Sequence, residues 1–333
     1  MKIFVVPDVH QTEHWRKAKE VIDTVDKVVI LGDYFDSHES DPYYPAGEEA
    51  AFNLLDIIAF KKQYPEKVDI LVGNHDLHYI GENVPFCYPN QSQHYATYHN
   101  VFANNVQYFD ICVEYDGWLF SHAGVSSWWL ENLYNAHSDF KEKLSLEGAT
   151  KAINWWFHEG HYEHFEYLNS PMDWCGDGSS SNQSPCWIRI PYLLRSPAYS
   201  NYVVGHTQVM ANHPLYIIDG KTDIEPGIRV IMCDSERKDL VFTLDTENLP
   251  EFKTLQENAK DQRKWMKDEQ KRKSQCGEIA AEMRKKYDIS KSVYRRLLVQ
   301  AKIEEPTDPY DTAAWDKLDD VLGNYSEAVD ARR

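Results

Sequence analysis

The sequence contains no long hydrophobic run. No stretch approaches the roughly 18 consecutive apolar residues that a membrane-spanning helix needs. The N-terminal segment MKIFVVPDVHQTEHW has one lysine and a short apolar run that stops at Pro7. That run is too short for a secretory signal and is typical of a first strand. We therefore expect a soluble protein with no membrane partner.

Cysteine is also scarce. The chain has six cysteines among 333 residues and no Cys-x-x-Cys pair. A chain of this length can bury a core large enough to fold without disulfides. The cysteines therefore predict reduced thiols and a cytoplasmic location.

Basic residues are few in the first 250 positions. These positions hold 17 Lys and Arg against 36 Asp and Glu, in a chain whose net charge is −18. Such an acidic region repels nucleic acid at long range, so we expect no broad nucleic-acid binding there. Residues 251–302 reverse the balance with 15 basic and 8 acidic residues, which is typical of a separate module.

The first 80 residues alternate between strand and helix patterns. KIFVVP, KVVILG and VDILVG are apolar runs typical of buried strands. Between them, TEHWRKAKEVIDTV has helical spacing with Thr12 as its expected N-cap. GEEAAFNLLDIIAFKKQ is a second helix pattern, with acidic residues early and lysines late. This βαβαβ order predicts an α/β fold with a largely parallel sheet.

Later segments extend the same domain. Further strands are predicted in VQYFDICVEY and GWLFSHA, and then in YVVG, LYII, IRVIMCD and LVFTLD. An irregular aromatic insert separates the two groups at residues 154–200. Because strand signals stop near Pro250, we predict one domain over residues 1–250 and a helical extension over residues 251–333.

Potential metal ligands directly follow five of the predicted strands. The carboxyl ends of strands in an open α/β sheet share one edge, so these side chains are expected to converge there. Carboxylate, imidazole and amide groups suit manganese, iron, zinc or magnesium and do not form a thiolate site. The residues are Asp8 and His10, Asp33 and Asp36, Asn74 with His75 and Asp76, His122, and His206.

This pattern resembles the signature blocks of the calcineurin-like metallophosphoesterase superfamily. The resemblance covers about residues 1–245 and is nearest the phosphoprotein phosphatase and dinucleoside-polyphosphatase branch, with its bacterial and phage relatives. It implies a four-layer αββα sandwich of two mixed sheets, in the cytoplasm of a bacterial or phage-infected cell. The blocks are Asp8-Val-His10, Gly32-Asp33-x-x-Asp36, Gly73-Asn74-His75-Asp76, Ser121-His122-Ala-Gly124 and Gly205-His206-Thr207.

The resemblance also implies roles for these residues. His75 would be the general acid beside the leaving group, and Asp36 would orient it. Two divalent cations, most readily manganese and otherwise iron, zinc, magnesium or nickel, would polarise the phosphoryl group and generate a bridging hydroxide. Asp8 and His10 would hold the first metal, Asp33 would bridge both, and Asn74, His122 and His206 would complete the second.

The sequence departs from the family where an arginine usually binds phosphate. Phosphoprotein phosphatases read GDxxDRG, whereas this chain reads GDYFDSH, so the bidentate clamp is absent at Ser37 and His38. Arg189, in CWIRIP, is the first candidate to replace it, and Arg195 is a weaker one. The alternative for Arg189 is a salt-bridging arginine at the surface. His38 is a third candidate for substrate contact, against a solvent-facing or supporting role.

Two further positions bear on the branch. Nucleases and broad phosphodiesterases usually read GHxH in the last block, whereas this chain has Gln208 in place of the second histidine. That difference favours the phosphatase or nucleotide-polyphosphatase side. Gln11 stands where relatives often have glycine, which weakens assignment to one subfamily.

These observations predict a dinuclear metal-dependent phosphatase acting on a phosphomonoester. Its substrate would be a phosphorylated small molecule or a phosphoprotein. One alternative is a nucleotide or dinucleoside-polyphosphate hydrolase on the same metals. Another, from a different class, is a nucleic-acid-binding protein that acts through the basic extension. The sequence predicts neither the individual substrate nor the oligomeric state.

Other histidines have a simpler interpretation. His158, His161 and His164, in FHEGHYEH, are expected to be surface residues of an aromatic helix rather than a metal cluster. His78, in the loop after the third block, is expected to be a pocket or surface residue rather than a ligand.

The extension contains one sharper pattern. GEIAAEMRKKYDISKSVYRRLL resembles a helix-turn-helix at residues 277–298, with Arg295 and Arg296 placed to contact phosphates. The alternative is a charged helical hairpin that packs on the body or mediates self-association.

Overall fold

The computed structural model describes residues 1–37, 46–82, 84–165, 180–207, 215–218, 227–233, 241–249, 271, 274–301, 303, 306 and 310–330. The chain forms two compact units, Met1–Ala259 and Lys260–Arg333. Across the described ranges, no helix is long and apolar enough to cross a bilayer.

Short strands make up the centre of the first unit. They are β1 (Lys2–Val6), β2 (Lys27–Ile30), β3 (Val68–Leu71), β4 (Phe109–Asp110), β5 (Cys112–Tyr115), β6 (Trp118–Ser121), β7 (Asn201–Val204), β8 (Leu215–Ile218), β9 (Arg229–Met232) and β10 (Phe242–Asp245).

Helices connect and cover these strands. They are α1 (Lys17–Val21), α2 (Glu48–Gln63), α3 (Asn74–Ile80), α4 (Tyr95–Ala103), α5 (Ser127–Ala136), α6 (Ser138–Glu147), α7 (Ala149–His158) and α8 (Ile190–Leu193) in the first unit. The second unit contains α9 (274–286), α10 (Lys291–Ala301) and α11 (Thr312–Asp330).

The strands form two mixed five-stranded sheets. The first has the order β10-β1-β2-β3-β4, in which β1 to β4 are parallel and β10 is antiparallel to β1. The second has the order β5-β6-β7-β9-β8, in which β6, β7 and β9 are parallel and the two edge strands are antiparallel. The predicted parallel arrangement of the first three strands is confirmed.

Side chains of each strand alternate between two hydrophobic clusters. Ile3 and Val5 of β1 face the second sheet, where they pack in one buried cluster with Phe120 of β6. Phe4 of β1 points the other way and packs in a cluster that includes Leu54 of α2. Helices α7 and α8 cover the second sheet in the same way. This period-two alternation produces the four-layer αββα sandwich that the resemblance implied.

Two local predictions were wrong. Thr12 caps no helix, because its hydroxyl donates to the carbonyl of Val9 over 2.6 Å and a 3₁₀ turn intervenes before α1. The segment VQYFDICVEY is not one strand. It divides at Ile111, so that β4 pairs in the first sheet and β5 in the second. The chain therefore crosses between the two sheets within a single apolar run, which periodicity alone does not reveal.

The second unit has a core of its own. Leu298 of α10 packs with Trp315 and Leu318 of α11 in a separate buried cluster. α9 and α10 are joined by a short turn, and the Ser290 hydroxyl accepts a hydrogen bond from the backbone of Val293 at the start of α10. The side chain of Arg295 lies outside the described residues. Nucleic-acid binding by this unit stays a prediction.

Candidate active site

Polar side chains from five strand ends meet at one rim of the sandwich. Strands β1, β2 and β3 of the first sheet and β6 and β7 of the second each end directly before one of the predicted ligand blocks. Residues of four of these blocks line a cleft of about 260 Å³, whereas His122 of the block after β6 is fully buried. The lining residues of the cleft are Asp8, His10, Asp33, Asn74, His75, Tyr88, Pro89, Trp187, Arg189 and His206.

The backbone at this rim is strained at several positions. His10 (φ 40°), Asp33 (φ 53°), Asp36 (φ 59°) and His206 (φ 53°) all adopt left-handed conformations. Each such non-glycine residue costs on the order of 1–3 kcal/mol, and such residues cluster where side chains must point in a required direction. The sharp turns aim these four side chains back over the ends of their strands.

Two glycines of the signature blocks make room for carboxylates. A Cβ atom at Gly205 would lie 1.9 Å from Oδ1 of Asp8, and one at Gly73 would lie 2.1 Å from Oδ1 of Asp33. Neither distance is compatible with a side chain at the glycine. The glycines therefore let the backbone approach the two carboxylates closely.

Two groups of donor atoms share Asp33. Asp8, His10 and Asp33 each offer one donor atom, and these atoms lie within 4.8 Å of one another. On the other side of Asp33, Nε2 of His122 lies 3.5 Å from Oδ2 of Asp33 and 2.8 Å from Oδ1 of Asn74. The same Asn74 oxygen lies 3.0 Å from Nδ1 of His206. Asp33 thus stands between the two predicted ligand sets.

The donor atoms of His122 and Asn74 are compatible with cation binding. Nδ1 of His122 lies 2.9 Å from the carbonyl oxygen of Leu31, which only accepts, so Nδ1 carries the proton and Nε2 a lone pair. Burial lowers the pKa of His122 and keeps the imidazole neutral. Its lone pair then faces Oδ1 of Asn74 at 2.8 Å, an approach of two lone pairs that a bound cation would relieve.

Two further histidines fit the same description. Nδ1 of His10 lies 2.9 Å from the carbonyl oxygen of Phe35, which leaves Nε2 to face Asp33. Nε2 of His206 is buried without a hydrogen-bond partner among the described residues. Burial and the nearby Arg189 charge lower the pKa of His206 well below its usual value, so its imidazole is neutral. The residues present therefore fit divalent cations.

His75 lies in the wall of the cleft at the start of α3. Its backbone N–H donates to Oδ1 of Asp33 over 2.9 Å, and its Nδ1 lies 3.2 Å from Oδ2 of Asp36. Burial by itself would lower the pKa of His75, but the charges of Asp33 and Cys87 and the hydrogen bond to Asp36 raise it well above its usual value. These neighbours therefore favour the protonated imidazole.

Asp36 is the centre of a buried polar network. Its Oδ1 accepts from the Tyr79 hydroxyl over 2.6 Å and from the backbone N–H of Gln91 over 2.8 Å, and its Oδ2 lies 2.9 Å from Nε2 of His78. Burial alone would raise the pKa of Asp36, but the hydrogen bond with His75 and the close contact with His78 lower it to about 2. Asp36 therefore remains ionised against two imidazoles.

Sequence reasoning did not identify the other members of this network. His78, expected in the pocket or at the surface, is fully buried and pairs with Asp36. The sulfur of Cys87 lies 3.6 Å from Nδ1 of both His75 and His78. The only local signal was the three-residue spacing of the two histidines on one helix, which places them on neighbouring positions of its surface.

Asp76, the last residue of the Gly-Asn-His-Asp block, holds two strand ends together. Its Oδ2 accepts from the backbone N–H groups of Asp33 and Gly73, each over 2.8 Å, and its Oδ1 accepts from that of Tyr34 over 2.9 Å. The side chain is fully buried. Asp76 thus positions the loop that carries Asp33 without lining the cleft itself.

The three candidates for substrate contact are placed differently. Arg189 lines the cleft, and its Nη1 donates to the carbonyl oxygen of His206 over 2.7 Å. Arg195 is exposed, with its guanidinium over the Tyr192 ring at 4.7 Å, and is not among the lining residues. His38 lies outside the described residues.

Two of the departures from the family pattern, at Gln11 and Ser37, are in contact with each other. Gln11 has a left-handed backbone (φ 67°), a conformation that glycine adopts more readily than glutamine. Its Oε1 accepts a hydrogen bond from the backbone N–H of Ser37 over 3.3 Å. Its Nε2 donates to Oε1 of Gln91 over 2.5 Å. The Gln11 side chain therefore links the first block, the second block and the loop that contacts Asp36.

The chain is similar to several solved structures at low identity. A cold-active protein-tyrosine phosphatase from a psychrophilic Shewanella species is 18% identical over 74% of this chain and 76% of its own, with a TM-score of 0.42. A metallophosphoesterase from Sphaerobacter thermophilus is 15% identical over 79% and 94%, with a TM-score of 0.32. A protein serine/threonine phosphatase from Saccharomyces cerevisiae is 12% identical over 76% and 82%, with a TM-score of 0.37.

Sequence comparison gives a more direct assignment. Among curated proteins, none matches the sequence significantly. The family model for calcineurin-like phosphoesterases matches residues 1–210, which is more than half of the chain and includes every strand end that borders the cleft. The chain therefore belongs to the calcineurin-like phosphoesterase family and is a metal-dependent phosphoesterase hydrolase.

Proposed function

We propose that the protein hydrolyses a phosphomonoester at this cleft, with His75 as the general acid. The observation that carries the proposal is the buried contact between Nδ1 of His75 and Oδ2 of Asp36, 3.2 Å apart, in the wall of a cleft lined by candidate cation ligands. A protein that only bound ligands would have no use for a proton donor held in its charged form at that place.

The proposed metal ligands are the residues that the sequence predicted. They supply carboxylate, imidazole and amide donors, a set that accepts manganese, iron, zinc or magnesium. Bound there, two divalent cations would polarise the phosphoryl group and lower the pKa of a water molecule near it. The ligands are Asp8, His10, Asp33, Asn74, His122 and His206.

His75 moves the proton that the reaction requires. Its Nδ1 faces Asp36, so Nε2 is the nitrogen left to face the cleft. From Nε2 the protonated imidazole donates to the leaving-group oxygen as the bond from phosphorus to that oxygen breaks. Asp36 fixes the orientation of the ring and stabilises its charge before the transfer.

Arg189 is the proposed phosphate-binding residue. It is the arginine among the residues that line the cleft, and its guanidinium is already anchored at one nitrogen by the His206 carbonyl. A guanidinium is planar and matches the oxygens of a phosphoryl group. This placement supports the proposal that Arg189 takes the role of the arginine that is missing from the Gly32-Asp33-x-x-Asp36 block.

The test is phosphate release by the purified chain with added manganese. An alkyl phosphomonoester, a phosphodiester and a dinucleoside polyphosphate are compared at equal concentration. We expect the monoester to be turned over fastest and Asp33→Asn to reduce its turnover by at least about 100-fold. Asp56→Asn, which removes an exposed carboxylate paired with Arg16, is the matched control and should have no effect.

Two outcomes would contradict the proposal. Equal activity of Asp33→Asn and the wild type would mean that hydrolysis does not use this cleft. Preferred turnover of the dinucleoside polyphosphate would replace the monoester assignment with a nucleotide hydrolase on the same residues.

A further inference from the structure

A second group of metal-type side chains lies outside the cleft. α7 ends at His158, and the chain then forms a 3₁₀ turn at Tyr162–His164. The backbone N–H of His164 donates to the carbonyl of His161 over 3.3 Å. Residues three apart are eclipsed in a 3₁₀ turn, so His161 and His164 lie on the same side.

Glu163 completes this group. Its Oε1 lies 3.6 Å from Nδ1 of His161 and 3.5 Å from Nε2 of His164. One donor atom from each of the three residues lies within 4.8 Å of the others. Ligands about 2.0–2.1 Å from a tetrahedral zinc ion lie roughly 3.4 Å apart. The observed separations between the carboxylate and each imidazole nitrogen are therefore close to those of a formed site.

The imidazole rings are held by packed neighbours. The His161 ring stacks on the buried Trp156 at 4.3 Å with an interplanar angle of 25°. The His164 ring contacts that of His137 edge-on at 4.7 Å, and the carbonyl of His164 accepts from Nε1 of Trp129 over 3.4 Å. Rings fixed in this way lose little conformational entropy when they bind an ion.

We propose that His161, Glu163 and His164 form a separate mononuclear site for a divalent transition metal, with zinc as the representative ion. Two imidazoles and one carboxylate favour zinc, nickel or copper over magnesium or calcium. Three protein ligands leave the fourth position for water, and none of the three lines the cleft. His158 is not part of the site, because its Nε2 lies 3.1 Å from Oδ1 of Asp110.

The experiment counts zinc ions bound to the full-length chain by equilibrium dialysis. The wild type is compared with the double variant His161→Ala/His164→Ala, and His158→Ala is the matched control. We expect the double variant to bind one zinc ion fewer per chain and the control to bind as many as the wild type. Glu163→Gln, which keeps both imidazoles, should weaken binding of that one ion by at least about 10-fold.

A diffraction measurement on the wild type locates the bound zinc ion without relying on the variants. Crystals of the wild type grown with zinc should show an anomalous peak between the three side chains. Equal zinc stoichiometry in the wild type and the double variant would overturn the proposal. So would an anomalous map with zinc in the cleft and no peak beside His164.

Discussion

Oδ2 of Asp36 lies 3.2 Å from Nδ1 of His75, inside the wall of the cleft. The carboxylate is fully buried, and a second imidazole, that of His78, lies 2.9 Å from the same oxygen. The two imidazoles can compensate the negative charge of the buried carboxylate in the absence of solvent. This arrangement suits the proton donor proposed above, and its properties can be tested one residue at a time.

Replacing His75 by alanine removes the proposed proton donor. We expect the turnover of an alkyl phosphomonoester to fall by roughly 100- to 10,000-fold, because an alkoxide leaves slowly without a proton. The fall should be much smaller for a nitrophenyl phosphate, whose leaving group needs no proton. Steady-state kinetics on both esters measure the difference. An equal loss on the two substrates would assign His75 a role other than general acid.

The pH dependence of stability tests the charge of Asp36. Its pKa falls from an ordinary 3.8 to about 2 in the folded chain. A lowered carboxyl pKa stabilises the folded state above the unfolded pKa, and this stabilisation is lost as pH falls through the folded value. The stability advantage of the wild type over Asp36→Asn should therefore shrink by about 2 kcal/mol between pH 5 and pH 2.

Urea unfolding of chelated protein across this range measures the effect. A constant difference between the two proteins would show that Asp36 is not held ionised by its imidazole neighbours.

Substituting Gly205 by alanine should displace a metal ligand. The new Cβ would lie 1.9 Å from Oδ1 of Asp8, so the carboxylate must move. We expect manganese binding to weaken by at least about 10-fold, with activity falling in parallel. Gly277→Ala is the matched control, because no atom lies within 4 Å of its added Cβ. Calorimetric titration with manganese gives both affinities, and equal values would show that Asp8 binds no metal.

Asp76 is expected to stabilise the fold and to position the loop that carries Asp33. The two carboxylate oxygens of Asp76 accept hydrogen bonds from three backbone N–H groups. In Asp76→Asn, the side-chain NH₂ group would replace one of these oxygens and would face a backbone N–H, which is also a donor. Leaving such a buried donor without an acceptor costs about 1–3 kcal/mol. We expect Asp76→Asn to lower the free energy of unfolding by that amount in urea. Asp116→Asn, at an exposed turn, should change it little, and similar losses in both would refute the assigned role.

Measurements of KM should distinguish between the two candidate phosphate-binding arginines, Arg189 and Arg195. Arg189→Lys removes the planar fork from the cleft, and we expect KM for a phosphomonoester to rise by roughly 10- to 100-fold. Arg195→Lys changes an exposed side chain that stacks on Tyr192 and should leave KM unchanged. A larger effect at Arg195 than at Arg189 would reverse the proposed assignment.

Much of the fold could be predicted from local patterns. The apolar runs of β1, β2 and β3 and the acidic-to-basic order of α2 are confirmed, because buried strands and long helices carry their periodicity in contiguous residues. The division of VQYFDICVEY between two sheets could not be predicted in this way. An apolar run has the same pattern whether its partner strand lies in one sheet or the other.

Relationships between distant segments were beyond the same reasoning. Nothing near Gln11 in the sequence indicates its contact with Ser37, and nothing near Asp36 indicates that His78 and Gln91 would share its carboxylate. The sequence pattern also did not predict the 3₁₀ turn between His161 and His164, because the same residues are compatible with a continuous helix.

The sequence by itself determined which residue types end each buried strand, and that was sufficient to place the candidate ligands at one rim. Parallel strands bring their carboxyl ends to a common edge, so a local pattern has a global consequence. The tertiary structure alone decided how these side chains are supported: two imidazoles beside Asp36, three N–H groups on Asp76, and the Gln11 side chain on the backbone of Ser37. Such contacts depend on the packing of loops whose separation along the chain carries no periodic signal.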